Sequence, residues 1–200
     1  MGAPSPERVD LWLAKAFSAH DVQAAALMAL ALPRKRAMRK RIKGKTLIAS
    51  DEGDAAADVI IKLYSEETNG VISIIEQPFE PNRLLPPHVH ENDVWLYVLE
   101  GEMHARVGDE VVKATPGSWV LKPRRIPHTM WNAGREPARI IELYTPGGFE
   151  LFFKDFGERL RQGPIGLDEL NRLGEPHGIR FFDDWIPDLK AAYNLRLIGE

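Results

Sequence analysis

From about Leu47 onward the chain alternates short apolar runs with clusters of Gly, Pro and Asn. Residues 59–64, 71–75, 95–99, 103–107, 111–112, 119–122 and 139–144 are rich in Val, Ile, Leu, Trp and Tyr, the residues that favour strands. Asn69-Gly70 and Gly108-Asp109 are turn dipeptides, and Glu100-Gly101 closes the third run. Strands at this spacing predict an all-β sandwich or small barrel.

The period changes at both ends. Val9, Leu11, Leu13 and Phe17 make an imperfect helical stripe within residues 5–43, residues 18–21 look like a cap before a second, Ala- and Leu-rich helix, and Pro33 should end or kink it. After Pro146-Gly147-Gly148, Phe149, Phe152, Phe153 and Phe156 recur at helical spacing, predicting a helix with one aromatic face. Shorter helices are expected at 167–173 and 187–193. The division that follows is a basic helical arm (1–46), a barrel (47–148) and a helical tail (149–200).

Composition narrows the class. The chain of 200 residues is 44% hydrophobic and 28% charged, a globular balance. It has no cysteine, which excludes disulfides, a thiol nucleophile and thiolate metal sites. No apolar run approaches the roughly 18 residues of a membrane helix. The apolar stretch 24–32 precedes its basic cluster, the reverse of a signal peptide, so a cytoplasmic location is expected. The net charge of −3 divides into +7 over residues 1–45 (10 Lys/Arg against 3 Asp/Glu) and −10 over the remainder (16 against 26). The basic run 34–45 has no interleaved aromatics and no recognition module around it, so nucleic acid is not an expected partner.

Three histidines carry the candidate chemistry. His88 and His90 are i and i+2 in an extended segment, so their side chains share one face. His128 follows 38 residues later. Imidazole suits Zn, Cu, Fe and Ni, so three converging rings make a sensible site for a divalent transition metal. Glu76 and Glu142 alternate with apolar neighbours. A buried carboxylate there would have a raised pKa and could act as a base, while a solvated face is the plain alternative. His104 is expected on the outer face.

The stretch from His88-x-His90 to Gly101, followed by Gly117, Pro123 and His128-x-x-x-Asn132, resembles the two motifs of the cupin superfamily. Pro146-Gly147-Gly148-Phe149-Glu150 and the helical tail are similar in texture to the bacterial cupins called quercetinase-like. The resemblance covers about residues 58–156. It implies a double-stranded β-helix, a jelly-roll barrel, often dimeric, holding Fe, Zn, Ni, Mn or Cu on His88, His90 and His128. Two positions depart from the pattern. Family spacing puts the metal-binding glutamate at Val94, and Arg125 stands where the family has glycine. The ion is therefore held by three histidines alone, completed by another carboxylate such as Glu76 or Glu142, or absent. The resulting expectation is a metal-dependent cupin enzyme acting on a small, partly aromatic molecule, with dioxygenase chemistry. A non-redox isomerase or cyclase and a metal-free binding module are the alternatives. A homodimer is expected from the exposed sheet edges and apolar ends of the chain.

Overall fold

The structure, a computed structural model, describes residues 39–40 and 42–198. The predicted N-terminal helices fall almost wholly outside these residues. Residues 42–46, within the arm, form turns and bends where helix was expected at their start, and Arg39 bridges to Glu52.

Thirteen strands follow among the described residues. They are β1 (Asp54–Ala56), β2 (Val59–Leu63), β3 (Ser73–Phe79), β4 (Arg83–Leu84), β5 (His88–His90), β6 (Asp93–Glu100), β7 (Met103–Val107), β8 (Glu110–Ala114), β9 (Trp119–Lys122), β10 (His128–Trp131), β11 (Ala138–Thr145), β12 (Ile179–Phe181) and β13 (Arg196–Leu197). One sheet runs β1-β2-β3-β11-β6-β9, the other β12-β5-β10-β4-β13, with β7 on β10 and β8 on β7. The pleat sorts side chains between core and exterior. On the first sheet Ile75, Gln77, Val94, Leu96, Lys122, Ile140, Glu142 and Tyr144 point inward, and all are buried. Trp95, Trp119 and Leu121 point outward and are exposed. Strand β10 is buried along its whole length. No helix interrupts residues 71–143 beyond a turn, in agreement with the barrel read from strand spacing.

Two differences from the sequence reading have local causes. Asn69-Gly70 does not make a two-residue hairpin. A 3-10 turn over Ser65–Thr68 precedes it, Asn69 and Gly70 close that turn at φ 53° and 80°, and the strand starts at Ser73 instead of Val71. The tail, for its part, is no separate appendage. Its helices α1 (Glu150–Leu160), α2 (Leu167–Gly174) and α3 (Ile186–Tyr193) match the expected aromatic and shorter helices. Between and after them β12 pairs with β5 and β13 with β4. Phe149, Phe152, Leu170, Ile186 and Leu189 share one core with Val59, Ile75, Val94, Trp131 and Tyr144.

Gly101 shows how tightly the strands are joined. It turns β6 into β7 at φ 74°, and a Cβ there would lie 2.7 Å from the Ala138 Cα and the Pro137 carbonyl. Left-handed backbone and overpacking each cost a side chain about 1–2 kcal/mol or more. Gly101→Ala is therefore expected to lower unfolding free energy by roughly 3 kcal/mol in a urea titration. An unchanged midpoint would show that the turn relaxes freely.

Candidate metal centre

Strand geometry brings the three histidines together. His88 and His90 lie on β5 with both side chains inward, and His128 on β10 is the register partner of His88. Ring centroids are 4.4 Å apart for His88–His128, 4.5 Å for His90–His128 and 5.6 Å for His88–His90. One ring nitrogen from each lies within 4.8 Å of the others, somewhat wider than the ~4 Å expected for ligands sharing an ion. The three rings are 4%, 2% and 0% exposed.

Their hydrogen bonds decide which nitrogens are available. The Nδ1 of His88 lies 2.8 Å from the Pro86 carbonyl, and the Nδ1 of His128 lies 2.8 Å from the Ile126 carbonyl. A carbonyl only accepts, so both Nδ1 atoms carry the proton and both Nε2 atoms keep a lone pair. The same step occurs twice, a carbonyl, then a proline, then the histidine: Pro86-Pro87-His88 and Ile126-Pro127-His128. The His128 Nε2 and the His90 Nδ1 are buried with no hydrogen-bond partner. Buried polar atoms left in that state are uncommon, and an ion held by the triad would satisfy the His128 Nε2.

Electrostatics keep the rings neutral. Burial pushes His88 and His128 well below their usual range, and neighbouring imidazoles and the Lys122 ammonium push in the same direction. Burial, then Lys122, lowers His90 to about 4. Neutral imidazoles are the form that ligates. These residues fit a divalent transition metal by donor type, count and orphaned lone pairs.

Beside the histidines is a cavity of about 50 Å³ lined by His88, Gln77, Lys122, Glu142, Tyr144 and Phe149. Glu142 is 2% exposed, ion-paired with Lys122, and accepts the Tyr144 hydroxyl at 2.6 Å. The tail closes the cavity, with Phe181 against His88 at 5.5 Å, Phe149 against His90 at 5.4 Å, and Phe149 stacked on Tyr144 at 4.7 Å.

The expected residues thus divide. His88, His90, His128 and Glu142 come together. Glu76 does not: register puts it on the opposite face of β3 from Gln77, where it is ion-paired with Arg139 at 2.8 Å and Lys62 at 3.7 Å. Its expected role as a base in the barrel is corrected to that of an outer-face ion-pair partner, because the strand begins at Ser73 and its inward set is Ser73, Ile75, Gln77 and Phe79. Val94 is fully buried between its register partners Lys122 and Tyr144. Asp93 is bound to Arg124 at 2.7 Å. Arg125 takes the left-handed conformation (φ 63°) that suits glycine. Its N–H donates to the His90 carbonyl at 2.8 Å and its side chain to Glu91. The turn before His128 therefore keeps the shape a glycine would give it. His104 lies apart from the triad, stacked on Trp131. Lys122 and Phe181 escaped the sequence reading.

Residues 76–144 match the family model of the cupin domain. That stretch holds the three histidines, Lys122, Glu142 and Tyr144, and stops before the aromatic tail. Among solved structures, an uncharacterized conserved protein with a double-stranded β-helix domain from Klebsiella pneumoniae is 20% identical over 44% of this chain and 76% of that one, with TM-score 0.40. TT1209 from Thermus thermophilus is 31% identical over 38% of this chain and 74% of that one, with TM-score 0.37. A salicylate 1,2-dioxygenase from Pseudaminobacter salicylatoxidans is 23% identical over 38% of this chain and 22% of that one, with TM-score 0.37. No curated protein matches the chain significantly.

Buried neutral histidines make stability depend on pH. Unfolded histidines titrate near 6.5 and His90 in the fold near 4, so below 6.5 the unfolded chain binds more protons. Stability of the metal-free protein is complete above about pH 6.5 and falls as pH drops toward 4, with His90 alone accounting for on the order of 3 kcal/mol. Urea midpoints at pH 7.5 and 5.0 test this. Equal midpoints would contradict the burial of uncharged rings.

Proposed function

We propose, on the premise of a cupin barrel with a buried three-histidine cluster, that the protein is a metal-dependent enzyme acting on a small, partly apolar organic molecule, with dioxygenase-like chemistry. The observation that carries this reading is the convergence of three buried histidines, one ring nitrogen of each within 4.8 Å of the others, with the His128 Nε2 left partnerless and the His88 and His128 tautomers set by backbone carbonyls. His88, His90 and His128 would hold Fe, Zn, Ni, Mn or Cu. When bound, such an ion supplies Lewis-acid activation of a substrate oxygen and, if redox-active, of O2.

The chain's own residues supply the remainder. Glu142 is the cavity carboxylate able to take a proton, and Tyr144 holds its second oxygen in place. Phe149, Phe152 and Phe153 exclude water and offer an apolar wall. Because all three ligands are neutral, the ion would keep its full charge for an oxygen donor. The acid–base set Lys122–Glu142–Tyr144 favours one second reading, a non-redox isomerase or cyclase on the same site. The expected homodimer belongs to this proposal, with the outward face of Trp95, Trp119 and Leu121 as its contact.

Oxygen-electrode measurements on Fe(II)-loaded protein with catechol and flavonol panels test it. The proposal expects substrate-dependent O2 uptake that falls at least ~100-fold in His128→Ala. Substrate turnover without uptake would replace it with the isomerase reading. Ligand binding with neither metal nor turnover would replace it with a binding module.

A further inference from the structure

Lys122 stands at an unspecified position of the second motif, just before Pro123, yet it is 1% exposed and lines the cavity shared with His88. Lysine is almost never fully buried unless paired. Replacing a buried ion pair with apolar residues is often neutral or stabilising, so stability alone gives little reason for one on a cavity wall.

The hydrogen bonds around the pair are asymmetric. Glu142 is committed on both oxygens, one to Lys122 and one to Tyr144. The Lys122 ammonium has three donors. The contacts it makes are one oxygen, on Glu142, and the Met130 thioether at 3.9 Å, a weak acceptor. That leaves donor capacity on a side chain that lines the cavity. The cavity of about 50 Å³ holds roughly four water-sized groups, the size of the polar end of a small organic acid. Phe149 and Phe152 complete the wall with apolar surface.

We propose that Lys122 anchors the carboxylate of a small organic acid in this cavity, with the acid's carbon chain against Phe149 and Phe152. The inference rests on the metal-centre reading, because it places the substrate beside the same three histidines, and it narrows the substrate class to carboxylates.

Calorimetric titration with pyruvate and its neutral isostere pyruvamide tests it, on zinc-loaded and on metal-free protein. Wild type is expected to prefer pyruvate by about tenfold, the value of one charge-assisted hydrogen bond. Lys122→Met should reduce pyruvate to the level of pyruvamide. Glu142→Gln should tighten pyruvate by about threefold or more, because a competing carboxylate is gone. Opposite signs for the two single variants distinguish a ligand anchor from a structural ion pair, which would lose affinity in both. If Lys122→Met fails to fold, the Lys122→Met/Glu142→Gln double variant, which leaves no unpaired charge, serves in its place and should lose the preference. A preference that survives the double variant, or equal binding of both probes to wild type, overturns the proposal. Zinc that fails to bind while the metal-free preference still follows Lys122 removes the metal reading and leaves the anchor. Normal zinc binding without a Lys122-dependent preference does the reverse.

Discussion

Two hydrogen bonds from histidine rings to backbone carbonyls set the terms for the rest of this molecule. His88 and His128 each donate Nδ1–H to the carbonyl two residues earlier, across a proline. The protons on those nitrogens fix the lone pairs on the other side of each ring, inside the barrel. Leaving the His128 Nε2 buried without a partner costs about 1–3 kcal/mol. The barrel accepts that cost by surrounding the triad with packed apolar residues: β10 is buried from end to end, and the tail lays Phe149 and Phe181 against the rings. Burial in turn keeps the imidazoles neutral, which is the state a metal requires.

The same enclosure explains the charged groups beside the triad. Inside it an unpaired carboxylate would be costly, and Glu142 is instead held between Lys122 and Tyr144. Glu76, one position from the inward residues of β3, meets Arg139 and Lys62 on the outer face. Register alone separates the two glutamates, since a one-residue change of parity moves a side chain to the other face of the sheet. Val94 lies between Lys122 and Tyr144 in register. There the wall is apolar, and a lysine stands on the next strand.

Much of this was legible in the sequence. Alternating apolar runs located the long strands, i, i+2 geometry paired His88 with His90, and motif spacing added His128. The spacing of the four phenylalanines located α1. What was not legible has physical causes. Strands β4 and β13 are two residues each, too short to show a period. Glu76 misled because the outer face of β3 carries the half-buried apolar residues Ile74 and Pro78, and Ile74 and Ile75 are adjacent, so polarity does not reveal parity. Lys122 was missed because exposed Trp119 and Leu121 reverse the usual pattern on β9, sending the apolar residues out and the lysine in. Its parity with Val120 was the available signal. The site's aromatic cover was hidden because it comes from Phe149 and Phe181, far from the histidines in sequence.

X-ray absorption at the zinc edge, on protein loaded with one equivalent of Zn²⁺, addresses the central claim most directly. The account predicts one ion per chain with three nitrogen ligands near 2.0–2.1 Å, and loss of that shell in His128→Ala while the protein stays folded. A shell dominated by carboxylate oxygen, or one unchanged by His128→Ala, would place the ion elsewhere and contradict the account.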